Sequence, residues 1–327
     1  MPTFAKKFST LIFLALLFRT EISPVPSPHR ISLTSQTWAL GSCFAQNMAE
    51  RLVAHGYPLT LNPCGIVFNP KSVARTMELA LGLRTLDESL LYAHNGLWQH
   101  PDFHGSFSRT QCDKALALMR DSIEAANAAN TGVQTLLLTL GTAWVFDDVA
   151  TGETVANCHK LPAERFLRRR MTVSEVVETL ENTLRIFKQK SPDLQVVLTV
   201  SPVRHLKDGL HENQLSKSIL LLAAEELETK LPFVTYFPAY ELLLDDLRDY
   251  RFFANDFCHP SDKAVDYIWE KFEASFLLPE EEAIRRQAHK VHTALKHRPL
   301  HPESEEFQKF EHWLQGEQAK LKAMLKD

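Results

Sequence analysis

Gln134-Thr135-Leu136-Leu137-Leu138-Thr139-Leu140-Gly141 is the stretch on which the reading of the fold turns. It is a nearly unbroken apolar run closed by a glycine, the pattern of a strand buried on both faces. The same signature recurs along the chain. Thr37 to Leu40 reads as a strand ending at Gly41, followed by a helix from Phe44 to His55 with Met48, Leu52 and Val53 at helical spacing. Gln195 to Val200 is another buried strand, running into Ser201-Pro202, and Phe233 to Tyr236 is a shorter one before Pro238. A further strand leads into Asn62-Pro63-Cys64-Gly65-Ile66. Thr172 and Glu175 form a capping box for a helix from Val173 to Lys188. Asn213 to Lys230 is a long helix, and Ser261 caps a last one through Phe272.

Two-faced apolar strands alternating with helices predict an α/β protein, a parallel sheet covered on both sides. In such sheets the ligand site lies beyond the carboxyl ends of the strands. Here those ends carry Gly41-Ser42-Cys43, Gly141-Thr142 and Ser201-Pro202-Val203-Arg204-His205.

The bulk numbers narrow the function classes. The chain has 327 residues, 45 % apolar and 23 % charged, with a net charge of −4. That balance argues against a nucleic-acid surface built on positive charge. Its 11 glycines form no phosphate-binding loop or dinucleotide fingerprint, so no cofactor is expected. Cys43, Cys64, Cys112, Cys158 and Cys258 are scattered singly. They suit neither a disulfide framework nor a zinc site, and fit a reducing, cytoplasmic compartment.

The ends differ from the middle. Residues 1–17 form an apolar leader: Lys6 and Lys7 precede an apolar run from Phe8 to Phe18. The run is too short to span a bilayer and lacks a small-x-small cleavage site, so it reads as an export signal, an anchor or an upstream start. Prolines between Ser23 and Pro28 predict an extended entry into the domain, residues 18–278. Residues 279–327, with Glu280-Glu281-Glu282, Arg285 and Arg286 and a polar helix from about Glu303 to Leu325, read as a helical C-terminal extension.

Four clusters are able to carry chemistry. At Gly41-Ser42-Cys43-Phe44-Ala45 a nucleophile, Ser42 or Cys43, would stand at a strand tip with a helix N-terminus behind it, which favours negative charge. The plainer reading is a glycine turn with a Ser cap and a buried Cys. In Asp256-Phe257-Cys258-His259-Pro260-Ser261, a carboxylate three residues before a histidine can fix the tautomer and orientation of its ring. The plainer reading there is an aspartate turn and a surface histidine. Gly65 admits close approach of an oxyanion to its backbone N–H, or is a simple turn residue. Asn157-Cys158-His159-Lys160 lacks partners for a metal site and reads as a substrate-contacting loop. Arg204, beside His205, suits a carboxylate or phosphate, or anchors its loop. His94, His100 and His104, near Trp98, are candidates to line a pocket; His289, His292, His297 and His301 face solvent in the tail.

Gly41-Ser42-Cys43-Phe44-Ala45 also resembles the name motif of the GSCFA domain family. The resemblance runs from Phe18-Arg19-Thr20-Glu21 through Gly141-Thr142-Ala143-Trp144, Asn157-Cys158-His159-Lys160 and Ser201 to His205. It continues over Tyr236-Phe237-Pro238-Ala239-Tyr240-Glu241 to Asp256–Pro260, most of the chain. The family looks like a branch of the SGNH/GDSL esterase superfamily. That resemblance implies a three-layer α/β/α, flavodoxin-like SGNH hydrolase fold. The superfamily's Gly-Asp-Ser block falls on Gly41-Ser42-Cys43, which puts Cys43 in the nucleophile's place; a one-residue shift puts Ser42 there. The second-block glycine falls on Gly65. The third block, Gly-x-Asn-Asp, falls on Gly141 to Trp144 and leaves Ala143 where an oxyanion asparagine belongs, with Thr142 or Asn157 as substitutes. The last block, Asp-x-x-His, is intact at Asp256 and His259.

The expectation is therefore ester hydrolysis or acyl transfer on a small-molecule or carbohydrate ester, through a Cys/Ser-His-Asp triad with Gly65, Thr142, Asn157, His159, Arg204 and His205 around it. No metal, nucleic acid or stable membrane span is expected. The alternatives are a non-catalytic binding module on the same fold and a thiol redox role for Cys43.

Overall fold

The computed structural model describes residues 19–130 and 132–325. The leader over 1–17, and Phe18, lie outside the described residues. Five parallel strands form the centre: β1 (Thr37–Gly41), β2 (Leu59–Leu61), β3 (Thr135–Leu140), β4 (Gln195–Val200) and β5 (Val234–Tyr236). Their order is β2-β1-β3-β4-β5, the flavodoxin-like arrangement, whose topological switch point lies between β1 and β3.

The strands alternate between two cores, as buried strands must. Trp38, Leu40, Leu136, Leu138, Val196 and Leu198 face one layer. That layer comprises α2 (Pro70–Ala80), α4 (Val173–Lys190) and α5 (Leu210–Lys230). Ala39, Leu137 and Val197 face the other, with α1 (Cys43–Ala54) and α6 (Asp262–Phe276). The expected capping box at Thr172 and Glu175 is formed in both directions. Ser261 caps α6 by accepting the N–H of Ala264 at 3.3 Å.

Two elements were not foreseen as helices: α2, entered through Asn69-Pro70, and α3 (Cys112–Ala128). Two small antiparallel units also rise from the rim. One is the hairpin Tyr92–His94 with Leu97–Gln99; the other joins Trp144–Asp148 to Thr154–Val155 and Phe166–Arg170.

The C-terminal segment forms α7 (Glu282–Leu295) and α8 (Glu305–Met324). Arg285 is buried, donating to Glu273 at 2.9 Å and to the Leu278 carbonyl at 2.5 Å. His289 is exposed and stacks on His55 at 4.6 Å between ring centroids. Among the described residues no helix is long and apolar enough to cross a membrane.

Candidate active site

At the carboxyl end of β1 the chain turns sharply into α1. Gly41 has φ +131°, and a Cβ there would lie 2.1 Å from the carbonyl oxygen of Thr139. Only glycine lets β1 and β3 approach so closely at this point. Ser42, 3 % exposed, is the N-cap of α1, and its hydroxyl accepts the Phe44 N–H at 3.3 Å. Cys43 opens the helix and is only partly buried. Its own N–H is the first of α1, where no carbonyl within the helix can accept it. Burial pushes the thiol above its ordinary value, opposed by the N–H groups of Phe44 and Cys43 and by the charge of Lys217; Asp256 pushes the same way as burial.

Asp256 and His259 pair as the spacing requires. His259 Nδ1 donates to Asp256 Oδ2 at 2.6 Å. The other oxygen, Oδ1, accepts the N–H groups of Cys258 at 2.9 Å and His259 at 3.0 Å. These backbone bonds, then the imidazole, hold the carboxyl down at about 2. With Nδ1–H committed to the carboxylate, Nε2 is the atom left to accept a proton. The loop is tied down by the N–H of Arg204, which donates to the Cys258 carbonyl at 3.0 Å. The Arg204 guanidinium lies 3.9 Å over the Phe253 ring. Among the described residues no hydrogen bond joins His259 to Cys43 or to Ser42.

His205 sits in the loop after β4, its N–H on Asn213 Oδ1 at 2.9 Å. Burial, then the charges of Lys217 and His259, drive its ring down to about 4. Among the described residues its Nε2 is buried without a partner.

The oxyanion donors expected from block matching are largely engaged elsewhere. The Gly65 N–H closes its own turn on the Asn62 carbonyl at 2.7 Å, so it has no bond to spare for a substrate. The Thr142 hydroxyl is shared with Ser216 at 2.9 Å and accepts the Trp144 N–H at 3.1 Å. Asn157 and His159 lie in a loop that folds under the Pro101 segment. Asn157 Oδ1 accepts the His159 N–H at 2.8 Å, and His159 Nε2 donates to the His100 carbonyl at 2.9 Å. His100 is buried, bonding Asp87 and Asp102 backbone, so His100 and His159 brace this region.

Two residues at the rim escaped the sequence reading. Asn62 has φ +41° and is buried. Its Oδ1 accepts the Gly41 N–H at 2.9 Å, while its Nδ2 is a buried donor with no acceptor among the described residues. Lys217 is fully buried in α5, donating to the carbonyls of Gly141 at 2.6 Å and Ser201 at 2.7 Å. A signal for it was present. Asn213, Ser216, Lys217 and Leu220 share one face of α5, and that face is the buried one.

Among the described residues no group of three or more His, Cys, Asp or Glu side chains is placed to hold a metal ion, and all five cysteines are free thiols.

The fold is thus a flavodoxin-like α/β sheet with Cys43 at the tip of β1 and the Asp256–His259 pair in the loop before α6. The chain belongs to the GSCFA family, whose model matches residues 36–272. No curated protein matches it in sequence. Two solved structures are similar in part. One is a carbohydrate esterase family 2 enzyme with a carbohydrate-binding domain from Corynascus thermopiles (Myceliophthora fergusii), at 12 % identity. The other is an acetyl xylan esterase from the rumen bacterium Butyrivibrio proteoclasticus, at 13 % identity. In both the TM-score is 0.36 and the match covers 77 % of this chain. It covers 66 % of each of those chains, a little under two thirds of their length.

Proposed function

We propose that this chain is an SGNH-type hydrolase or acyltransferase that acts on an ester through a covalent thioester on Cys43. The observation that carries the reading is the 2.6 Å bond between His259 Nδ1 and Asp256, on the same rim as the N-terminus of α1. Burial keeps the Cys43 thiol protonated at neutral pH, so a base is needed. His259 Nε2 takes the thiol proton as Sγ attacks the acyl carbon. The same proton then goes to the departing alkoxide, leaving a thioester. Water, or a second hydroxyl, gives its proton to His259 and attacks the thioester, which returns the thiol. The N–H of Cys43, at the positive end of α1, is the first donor to the oxyanion. The unpaired Nδ2 of Asn62 is the second, in place of the asparagine that Ala143 replaces. Ser42 is the weaker nucleophile candidate, since its hydroxyl is buried and occupied in capping.

An O-acylated carbohydrate is the substrate class we favour, by analogy with the superfamily alone. Purified protein incubated with p-nitrophenyl acetate and with acetylated sugars should release acetate and carry a transient acyl group on Cys43 by mass spectrometry. Absence of both turnover and adduct overturns the reading.

A second reading is a ligand-binding module that keeps the site without the reaction. The missing bond between His259 and Cys43, with Ala143 at the oxyanion position, favours it. It predicts ligand-dependent thermal stabilisation that survives His259→Ala. The raised Cys43 thiol counts against a redox role, which requires a ready thiolate.

A further inference from the structure

Two aromatic side chains stand largely in water beside His259. Tyr250 is 65 % exposed and Phe257 55 %. A single exposed apolar residue needs no explanation, but these two meet. Their ring centroids are 5.9 Å apart and their planes lie at 83°, so one ring forms a floor and the other a wall. The chain fixes this corner next to the histidine. The Phe257 N–H donates to the Ala254 carbonyl at 2.9 Å, and the Ala254 N–H donates to the His259 carbonyl at 2.8 Å. Phe257 and His259 therefore belong to one short loop whose ends are tied together. Arg204 braces it: its guanidinium lies 5.6 Å from the Tyr250 ring centroid, and its N–H holds the Cys258 carbonyl.

The backbone is strained at the same place. Phe257 has φ +56°, a left-handed conformation that a bulky side chain rarely adopts. Arg248, at the foot of the corner, has φ +43°. Strain of this kind clusters where ligands are held. A cavity of about 100 Å³ opens there, lined by Tyr250 and Phe253 and by Arg204, Arg248 and Asp249. That lining is partly aromatic and partly charged. A wholly apolar ligand would take the guanidinium and carboxylate groups out of water with no partner. A sugar ring suits both parts. Its C–H face packs on an aromatic face, whose negative quadrupole attracts polarised C–H groups, and its hydroxyls bond the charged groups at the edge.

The proposed reaction orients the ester. His259 Nε2 returns its proton to the departing alkoxide, so the alcohol half of the ester comes to the His259 side. We propose that the Tyr250–Phe257 corner is the subsite for that alcohol half, a sugar ring packed on the aromatic faces with its hydroxyls toward Arg204, Arg248 and Asp249. Tyr250 and Phe257 set specificity and take no part in the bond changes. The assignment rests on the hydrolase reading, with His259 as its base, and gives the sugar class a footing in this chain's own residues.

The first measurement is a ratio. kcat/KM is determined for acetylated sugars and for ethyl acetate, in the wild type and in Tyr250→Ala and Phe257→Gly; glycine suits the left-handed backbone at 257. Preference for the sugar ester, the ratio of the two values, should fall about fivefold to tenfold in each variant, mainly through KM for the sugar ester. The ratio cancels any general damage to the neighbouring Asp256 and His259. A ratio unchanged in both variants overturns the proposal. The second measurement needs no turnover. Unacylated oligosaccharides of glucose, xylose, mannose and N-acetylglucosamine are screened with the wild type by saturation-transfer NMR, and the signals should weaken or vanish in both variants. No signal with any of them, or a signal that survives in both variants, also overturns it. If an oligosaccharide binds at the corner but no ester is turned over, the hydrolase reading fails alone; if sugar esters are turned over with an unchanged ratio, only the role of the corner fails.

Discussion

The N–H of Gly41 donates to Asn62 Oδ1 at 2.9 Å, so the last residue of β1 is pinned to the first residue after β2. The bond sits one residue before the α1 cap and sets where Cys43 emerges. Substituting Gly41 strikes both the bond and the turn. Gly41→Ala forces a Cβ within 2.1 Å of the Thr139 carbonyl at φ +131°. We expect a loss of stability of at least about 3 kcal/mol in urea denaturation. A loss below about 1 kcal/mol would mean that β1 and β3 can part at this point.

Asn62→Asp separates the two roles of the amide. An aspartate keeps an oxygen for the Gly41 N–H and tolerates the positive φ, but it removes the Nδ2 donor. If that donor holds the oxyanion, kcat falls on the order of 100- to 1000-fold while the melting temperature stays close to wild type. A drop in melting temperature with kcat intact assigns Asn62 to architecture alone.

The two nucleophile candidates give opposite results. Cys43→Ala abolishes turnover and the acyl adduct. Ser42→Ala retains turnover but loses about 1 kcal/mol of stability, the usual worth of a side-chain N-cap. Steady-state rates and chemical denaturation of the two variants decide between them; loss of activity in Ser42→Ala alone reverses the assignment.

Asp256→Asn removes the acceptor that fixes His259 Nδ1–H and frees the ring to take the wrong tautomer. The expected loss in kcat is on the order of 10³- to 10⁴-fold with little change in KM. Because the Asp256 carboxyl is held at about 2, the wild-type pair should stay ionised on its acidic side as the pH falls toward 4. A pH–rate profile with an acidic limb due to Asp256 above pH 4 would contradict this.

Lys217 sets a pH dependence of stability with a defined sign. Burial holds it down to about 7 in the fold, against about 10.4 in an unfolded chain. Between those values the unfolded chain binds the extra proton. This group therefore makes stability rise with pH across that window and adds nothing further above it. The unfolding free energy of the wild type minus that of Lys217→Met should climb from pH 7 to pH 10. A flat difference in urea titrations would show that the amine is not desolvated.

The sheet and its main helices were legible in the sequence because burial on both faces leaves unbroken apolar runs. Thr135–Leu140 and Gln195–Val200 each carry only two polar residues, a threonine among them. The Thr172–Glu175 box was legible because both halves of a reciprocal cap lie three residues apart. Helix α3 was not, since its buried stripe is only Ala115, Met119 and Ala126. The strand Phe166–Arg170 was also hidden. Its consecutive arginines break any apolar alternation, and they are held instead by Asp208, Asp147, Glu175 and Glu212. At the site, the Asp256–His259 pair is local and needed only spacing. The oxyanion donors depend on which N–H groups are already engaged, and that is a property of the folded turn at Asn62–Gly65. The helical spacing of Lys217 marks its buried face, but its two carbonyl partners lie at the ends of other strands, which no local pattern encodes.

Asp256 and His259 leave 49 % and 47 % of their side chains in water. Water of high dielectric screens the pair, so under the proposed function a small ester would find its charges blunted. A bulky ester sweeps that water away as it settles, and the same charges then act in a drier, stronger field. Under the proposed function the substrate would itself serve as the lid at this edge. Preference for a polymer over its monomer then needs no deep cleft, and grows with how much of the rim each molecule covers.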